Sequence, residues 1–333
     1  MSTLTATHPT LLDVAKRTDP TGKIAKIVEM LNQTNEVLDD MVWIEANQAT
    51  GHRTTVRTGL PTPTWRKLYG GVQPGKSTTV QITDSLGMME QYAEIDKALA
   101  DINGNSADWR LSEEAPFIEA MSQELAQTLF YGNEGTEPEA FTGLAARFNS
   151  KSAANGENIL TSAATPDNAD NASIWLIVWG PNTVHGIYPK GSMAGLQQTD
   201  KGQVTIENID GSNGRMEAYR THYRWDAGLT VRDWRYVVRI NFDLEDITAS
   251  GSTGPVLADL MGKALRRIPS LGLGRPAFYA NRDTLDAIDL QANNKSNLAF
   301  QTVEDGQGKM IQTFRRIPVR RCDALLSTES GVS

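Results

Sequence analysis

The segment between residues 50 and 90 constrains the fold of this chain more than any other part of it. Two runs dominated by Thr and Val, Arg53–Thr58 and Ser77–Thr83, alternate as half-buried β-strands do. Between them lie about 18 residues rich in Pro and Gly, far more than a hairpin loop needs. The connecting stretch is therefore functional, disordered or an excursion from the fold, and the two runs predict a two-stranded ribbon that is only marginally stable by itself.

The excursion carries three large apolar side chains, Trp65, Leu68 and Tyr69. On a monomer they would be exposed, and exposed apolar patches usually mark interaction sites. Two interpretations remain open on these residues: the excursion folds back on its own domain, or another subunit covers it.

The composition excludes several classes of protein. The chain has 333 residues, enough for about two ordinary domains, and its net charge of −8 argues against sequence-independent nucleic-acid binding. The single cysteine, Cys322, rules out an intrachain disulfide and favours a reducing, intracellular setting. No apolar run approaches the roughly 20 residues of a membrane-spanning helix, and the N-terminus lacks the pattern of a secretory signal. We expect a soluble, acidic, intracellular protein.

The N-terminal region combines a polar segment with a short amphipathic helix. Residues 1–20 are Thr-rich and interrupted by prolines, which predicts an arm rather than part of a core. Beyond them, Ile24, Ile27 and Leu31 follow the spacing of one helix face. That face must be buried on the chain's own body or on a neighbouring subunit, and the sequence leaves both open.

The most regular helix is predicted over residues 112–131. Ser112 followed by two glutamates is typical of a helix start, because a hydroxyl caps free amides and acids favour the positive end of the dipole. Pro116 fits only the first turn of a helix, and Gly132 lies where a C-terminal cap is expected.

The rest of the chain mixes short strands and helices, which predicts the α+β class. Residues 136–172 and 190–214 are rich in Gly, Ser and Asn and are predicted as long loops. A turn signal at residues 226–228 predicts that Arg215–Trp225 and Leu229–Asn241 form an antiparallel pair. The other predicted elements are a buried strand at Ile174–Trp179, a helix from Pro255 to Ile268, a strand at Ala277–Ala280, a helix capped by Asn281 and a strand at Met310–Val319.

One motif points to nucleotide chemistry. Residues Gly70–Ser77 match the phosphate-binding pattern G-x-x-x-x-G-K-[ST], and Val237–Asp243 resembles an apolar strand that ends in a magnesium-binding Asp. A functional phosphate loop must follow a buried strand and open a helix whose amides hold the phosphate. The residues before the motif do not form a buried strand, and Thr78–Thr83 favours a strand over a helix. Nucleotide hydrolysis is therefore kept only as the alternative hypothesis.

Metal and nucleophile chemistry have weaker support. The histidines His8, His52, His185 and His222 lie in four separate segments without ligand spacing. No nucleophile elbow occurs, and Cys322 is more typical of a small buried residue than of a reactive thiol. We predict no catalytic, cofactor-binding or metal-binding residues.

Arginines alternate with aromatic residues in two strand-like runs. Arg220–Trp225 contains Arg224, and Val231–Tyr236 contains Arg235. Such surfaces can stack on nucleic-acid bases. Against the negative net charge of the chain, we favour packing between strands and between subunits, with nucleic-acid binding as a third hypothesis.

The order of these elements, together with several local runs, resembles the major capsid proteins of tailed bacteriophages, which are double-stranded DNA phages. The resemblance covers roughly residues 10–326, although no single run is diagnostic. The runs that carry it are TTVRTGLP at 54–61, LFYGN at 129–133, FTGL at 141–144, SIWLIVWG at 173–180 and GLTVRDW at 228–234.

The resemblance implies a capsid-protein fold in which separate segments contribute to each domain. It assigns residues 1–47 to an N-terminal arm and residues 48–92 to an extended β-loop that lies over an adjacent subunit. The peripheral domain would combine 93–139 and 211–249, with a long spine helix at 112–131 and a β-ribbon at 215–241. The axial domain would combine 140–210 and 250–333.

The function implied by the resemblance is structural rather than enzymatic, without cofactors. The protein would self-assemble into pentamers and hexamers that form an icosahedral head enclosing double-stranded DNA without sequence-specific contacts. The other implied partners are a separate scaffolding protein, a portal protein and, where one is present, a decoration protein, with no membrane. The location would be the virion, after assembly in the host cytoplasm. The candidate inter-subunit contacts are Trp65, Leu68, Tyr69, Ile24, Ile27, Leu31, Arg224 and Arg235.

Overall fold

The structure is a computed structural model that describes residues 33–101, 106–162, 170–207, 214–244, 246–247, 256–294, 300–304 and 310–332. These residues fall into two compact units. The smaller unit takes in Gln33 and the described residues of Met88–Leu125 and Gly195–Asp226. The larger unit is built from Thr34–Gly87, Ala126–Ala194 and Ala227–Ser333. The predicted helix face at Ile24, Ile27 and Leu31 lies outside the described residues.

Helices and strands are both present, as the α+β class requires. The helices are α1 (Val37–Asp40), α2 (Lys97–Ala100), α3 (Ser106–Tyr131), α4 (Leu144–Arg147), α5 (Leu257–Arg267) and α6 (Arg282–Asn294). The strands up to residue 188 are β1 (Trp43–Glu45), β2 (Gly51–Gly59), β3 (Thr78–Ser85), β4 (Gly87–Asp96), β5 (Ile159–Thr161), β6 (Asn171–Trp179) and β7 (Val184–Tyr188). The later strands are β8 (Gln197–Glu207), β9 (Arg215–Val231), β10 (Val237–Asp243), β11 (Arg275–Ala280), β12 (Phe300–Glu304), β13 (Met310–Phe314) and β14 (Ile317–Arg321).

The centre of the larger unit is the buried strand β6. It pairs antiparallel with β10 on one side and with β11 on the other, and all nine of its residues are buried. β5 continues the sheet beyond β10 in parallel, and β14, β13 and β12 continue it beyond β11. Leu257, Met261 and Ala264 of α5 pack with β6 and β10 in one apolar cluster, because these positions share one face of the helix. The predicted strand at Ile174–Trp179 and the predicted α5 are confirmed.

A buried polar network fastens the C-terminal segment to this sheet. Arg239 of β10 donates to a carboxylate oxygen of Glu329 at 2.7 Å and to the Phe148 carbonyl at 2.9 Å. The same carboxylate accepts hydrogen bonds from Ser173 and Tyr131. The guanidinium also lies over the ring of Trp175, 5.2 Å from its centre. Both charges are almost completely buried, so each depends on the other for compensation.

The smaller unit places the part of α3 before Ala126 beside an antiparallel ribbon. β8 and β9 pair from Gln197↔Arg224 to Glu207↔Arg215, and β4 lies on the other edge of β9. Glu114 of α3 is buried and accepts hydrogen bonds from Thr221 Oγ1 at 2.6 Å and from the Tyr223 hydroxyl at 3.0 Å. These bonds compensate for the cost of burying the carboxylate.

The predicted turn at residues 226–228 is wrong. β9 runs without interruption from Arg215 to Val231, and it is paired with β8, β7 and β4 rather than with β10. Gly228 is required by close packing instead, because a Cβ there would lie 2.7 Å from the carbonyl oxygen of Ser85. A turn-like composition therefore marks a close approach of two backbones at this position.

Two further predictions are wrong: one predicted loop contains a strand, and one predicted strand is a hairpin of two strands. Residues 190–214 are not one loop, since they contain the eleven-residue strand β8. The predicted strand Met310–Val319 is a hairpin of β13 and β14. Its turn is formed by Arg315 and Arg316, whose φ angles are 50° and 69°, so the expected Gly or Asn is missing from this left-handed turn.

The long helix ends as predicted and begins earlier. α3 starts at Ser106 rather than at Ser112, so Pro116 lies inside the helix. The helix ends at Tyr131, and Gly132 follows it. In the long loop predicted at 136–172, the structure places α4 and β5, and residues 163–169 lie outside the described part of the chain. The helix that follows Asn281 is confirmed, since the Asn281 side chain accepts a hydrogen bond from the Thr284 amide at 2.9 Å.

Candidate subunit-contact surfaces

The most exposed feature of the larger unit is the hairpin of β2 and β3 with its connection, residues 51–85, which we call the arm. Its strands pair antiparallel from Gly51↔Ser85 to Gly59↔Thr78, so the predicted ribbon is confirmed. One face of the ribbon carries Val56 and Val80 as a cross-strand pair, with Ile82 next to them. Val80 is 50% exposed and Ile82 is 39% exposed. A two-stranded ribbon with an uncovered apolar face lacks the core that normally stabilises a sheet.

The base of the arm is held firmly by charged and polar contacts. Asp84 is buried and forms an ion pair with Arg147 of α4, with Nη1 and Oδ1 2.7 Å apart. Arg147 also donates to the carbonyl oxygens of Thr142 and Leu229. At the other strand, the side chain of Asn47 exchanges hydrogen bonds with the backbone of Arg53. The arm therefore leaves the unit from a fixed base.

The tip of the arm is an ordered turn with outward-facing aromatic rings. The Gly70 amide donates to the Lys67 carbonyl at 3.0 Å, and Nε of Arg66 donates to the Gly70 carbonyl at 3.1 Å. Tyr69 adopts a φ of 64°, a left-handed conformation that costs a non-glycine residue on the order of 1–3 kcal/mol. Trp65 and Tyr69 are fully exposed and Leu68 is 91% exposed. The predicted contact residues Trp65, Leu68 and Tyr69 therefore lie at the tip, not covered by any other part of the chain that the structure describes.

The apolar surface of the arm is larger than the three residues predicted from the sequence. Besides Val80 and Ile82, the exposed apolar side chains of the arm include Leu60 and Val72. The signal was present in the sequence, because strand alternation puts Val56, Val80 and Ile82 on one face once the register is known.

The phosphate-loop motif at Gly70–Ser77 lacks the structure that its chemistry needs. A turn precedes it rather than a strand, and the strand β3 follows it rather than a helix. Because the motif opens a strand and not a helix, it lacks the helix N-terminus whose amides hold the phosphate in nucleotide hydrolases. The alternative hypothesis of a nucleotide-binding enzyme is not supported.

The two arginines singled out in the sequence are paired within their own segments. Arg224 donates through Nε to both carboxylate oxygens of Asp226, at 2.9 and 3.0 Å. Arg235 donates to Asp233, with the shortest distance 2.7 Å from Nη2. The pKa of each guanidinium is raised by the neighbouring carboxylate. Compensated cations of this kind contribute little to binding a phosphate backbone, so they favour packing over nucleic-acid recognition.

Histidines and the cysteine occupy structural positions. His185 of β7 is buried, and its ring lies edge-on to the ring of His52 at the base of the arm, with centres 5.8 Å apart. Burial lowers the pKa of His185 to about 4, and burial raises the pKa of the Cys322 thiol to about 12. His222 stacks on Tyr92, and His8 lies outside the described residues. Within the residues that the structure describes, no group of three His, Cys, Asp or Glu side chains is arranged to hold a metal ion.

The comparisons with known proteins identify the class of the fold. A chain in the near-atomic-resolution structure of bacteriophage Epsilon15 matches with a TM-score of 0.77 and 35% sequence identity, covering 100% of this chain and 99% of that chain. The capsid of bacteriophage JBD30 matches with a TM-score of 0.47 and 10% identity, covering 89% of this chain and 92% of that chain. No curated protein sequence matches the chain. The fold is that of phage capsid proteins.

The family model of the major capsid protein GP7 matches residues 19–333. The chain belongs to the major capsid protein GP7 family. It is a structural capsid protein whose copies self-assemble into the icosahedral head, and it is located in the virion. Among the helices that the structure describes, none is long and apolar enough to cross a membrane.

Proposed function

We propose that the chain builds the head as pentamers and hexamers, with its arm lying over an adjacent subunit. The observation that carries this proposal is the complete exposure of Trp65 and Tyr69 on an arm whose base is fixed by buried contacts. An anchored, two-stranded ribbon gains little stability from its own chain. Contact with another copy would supply the missing apolar cover and join neighbouring subunits.

The same proposal assigns the remaining segments. Residues 1–47 form the N-terminal arm, with Ile24, Ile27 and Leu31 as inter-subunit contacts, and residues 48–92 form the extended loop. The peripheral domain combines 93–139 with 211–249, and the axial domain combines 140–210 with 250–333. A peripheral domain made of separate segments is supported by the smaller unit, in which Met88–Leu125 and Gly195–Asp226 come together although they are far apart in sequence.

The role is wholly structural in this proposal, without catalysis or cofactors. The head encloses double-stranded DNA without sequence-specific contacts, which the net charge of −8 supports, because an acidic lining does not hold a polyanion tightly. A separate scaffolding protein, a portal protein and, where present, a decoration protein complete the head, and assembly takes place in the host cytoplasm. Arg224 and Arg235 serve packing between strands and subunits.

Deleting residues 60–75 tests the role of the arm directly. We expect soluble subunits that no longer form stable shells, because the deletion removes the exposed tip and leaves the base contacts in place. A matched variant replaces the same residues by a Gly/Ser linker of equal length, which preserves the loop closure and removes only the side chains. Size-exclusion chromatography and negative-stain imaging measure the outcome, and shells of normal stability from either variant would contradict the proposal.

A further inference from the structure

The loop between α4 and β5 contains a chemically labile sequence, Asn155 followed by Gly156. The backbone nitrogen of the residue after an Asn can attack the side-chain amide of that Asn, which makes Asn a thermolabile residue. Glycine hinders the attack least, because it has no side chain and leaves the backbone free to rotate. Two other Asn–Gly pairs occur in the chain, at residues 103–104 and 213–214.

The fold needs both residues of the pair in the α4–β5 loop. A Cβ at position 156 would collide with the backbone of Lys151, so a bulkier residue that slows the attack does not fit there. The Asn155 side chain donates from Nδ2 to the Arg147 carbonyl oxygen at 2.7 Å, which closes the loop onto the end of α4. The structure therefore retains a labile pair at this position.

In the folded loop, the two groups that would react are held apart. The Gly156 amide donates to the Ala153 carbonyl oxygen at 2.8 Å, while the Asn155 side-chain amide is bonded to Arg147. The ψ angle of Asn155 is 3°, so the Gly156 nitrogen eclipses the backbone nitrogen of Asn155, whereas ring closure requires it to lie beside Cβ. The reaction therefore has to wait until the loop opens.

We propose that Asn155–Gly156 is a latent deamidation site that reacts when the α4–β5 loop opens and that then prevents the loop from closing again. The Gly156 nitrogen gives its proton to a base and bonds to Cγ of Asn155, and Nδ2 leaves as ammonia. Water then opens the cyclic imide. The product at this position is aspartate or, where water attacks the main-chain carbonyl, isoaspartate.

The modified loop lacks the bond that closed it. A carboxylate at position 155 has no N–H to donate and would face the Arg147 carbonyl oxygen, one acceptor against another. Arg147 also anchors the arm, since its guanidinium pairs with Asp84 at 2.7 Å and donates to the Leu229 carbonyl oxygen at 3.1 Å. Deamidation therefore loosens the residue that fixes the base of the arm, whatever the arm contacts in the head.

The first test compares reaction rates in folded and unfolded chains. Peptide mass spectrometry of the full chain follows deamidation at position 155 at mildly alkaline pH, with and without urea. We expect the folded subunit to react at least tenfold more slowly, because only the opened loop reacts. In urea, Asn155 should react about as fast as the other two Asn–Gly pairs. Equal rates with and without urea would overturn the proposal, and so would an unreactive Asn155 in urea.

The second test introduces the product directly. Asn155→Asp should lower the urea midpoint of unassembled subunits and speed the amide hydrogen exchange of β2 and β3 near the arm base at least tenfold. The matched control is Asn149→Asp, which makes the same change in charge at an exposed position of the same loop and should change neither quantity. Equal effects in both variants would show that charge in the loop matters rather than the bond to Arg147, and would overturn the proposal.

The normal protein provides the answer if Asn155→Asp does not fold. Chains deamidated in urea are returned to native conditions, and the modified fraction at position 155 is compared between refolded and aggregated chains. A severalfold depletion of modified chains from the refolded pool would support the proposal. The same fraction in both pools would show that the loop tolerates the modification, and the proposal would be overturned.

Discussion

The strand β6 and the arm of β2 and β3 are both antiparallel β-structure in the larger unit, yet they depend on different partners. All nine residues of β6 are buried between two neighbouring strands and a helix layer. The first six residues of β3 are exposed, and among the described strands β3 pairs with β2 alone. The sheet centre is thus complete within one chain, whereas the arm has a fixed base and an uncovered face.

The difference is encoded in residue type. Ile174–Trp179 is apolar on both faces, which suits a strand covered on both sides. The strands of the arm alternate Thr with Val or Arg, so each offers one weakly apolar face and one polar face. In a shell protein, a buried strand such as β6 can stabilise the fold, while the exposed strands of the arm can make the assembly contacts. Changes at the sheet centre should therefore affect folding, and changes on the arm should affect assembly.

The largest effect on folding is expected from breaking the buried ion pair beside β6. Glu329→Ala leaves the Arg239 guanidinium buried without its carboxylate, and removing one partner of such a pair costs about 3–5 kcal/mol. Urea denaturation of unassembled subunits measures the free energy of unfolding. The matched control is Glu207→Ala, whose partner Arg215 is 2.9 Å away in a well-exposed pair, so the expected loss is below about 1 kcal/mol. Equal losses of unfolding free energy in both variants would show that burial does not determine how much these ion pairs contribute to stability.

The free energy of unfolding is expected to depend on pH through His185, which lies where the arm meets the sheet. The pKa of His185 is lowered to about 4, chiefly by burial and then by His52 and Arg232. A histidine with a lowered folded-state pKa contributes stability that is full above its unfolded value of about 6.5 and is lost as the pH falls toward 4. We expect the free energy of unfolding to fall by at most about 1.4 kcal/mol per pH unit across this window.

His185→Leu isolates this contribution. The variant keeps an apolar side chain between β7 and its neighbours but cannot take up the proton, so its unfolding free energy should fall less steeply between pH 6.5 and 4. Denaturation curves of both proteins at matched pH values give the difference. Parallel curves would mean that other groups, such as carboxylates, account for the whole loss in acid.

The sequence predicts the sheet centre and the arm well because each has a local signal. Ile174–Trp179 is an unbroken apolar run, and Arg53–Thr58 and Ser77–Thr83 alternate visibly. The local pattern also places Trp65 and Tyr69 in a long excursion, but it leaves open whether that excursion folds back on its own domain, and their exposure is known only from the structure. These features need no knowledge of distant residues.

The remaining features depend on contacts that a single sequence does not display. Arg147 meets Asp84, 63 positions earlier, and neither residue lies in a recognisable motif. Gly228 was misread as a turn because the need for a small residue beside Ser85 is visible only after folding. The side chains of β8 are largely exposed and polar, so its composition favours a loop, although backbone pairing with β9 makes it a strand.

Two glycine substitutions, one beside the sheet and one in the arm, test the same contrast. Their expected effects on the free energy of unfolding are smaller. Gly228→Ala places a Cβ 2.7 Å from the Ser85 carbonyl oxygen, so the backbones must separate, at a cost of about 1–3 kcal/mol. Gly71→Ala in the arm meets no heavy atom within 4 Å and should change the free energy of unfolding by less than about 0.5 kcal/mol. Thermal or urea denaturation of the two variants checks the ranking, which would be refuted if Gly71→Ala were the more damaging.

The smallest folding effect is expected at the arm tip, where the assembly effect is largest. Trp65→Ala removes a ring that contacts none of its own core, so the unfolding free energy of the unassembled subunit should stay within about 0.5 kcal/mol of normal. If the ring is buried against another copy, its loss removes a contact of the kind that dominates interfaces, worth about 2 kcal/mol or more. Shell dissociation in urea, followed by light scattering, should then begin at a lower concentration, while the unfolding midpoint of the subunit is unchanged. A destabilised subunit would show that the tip folds back on its own chain, and the contrast between the arm and the sheet centre would not hold.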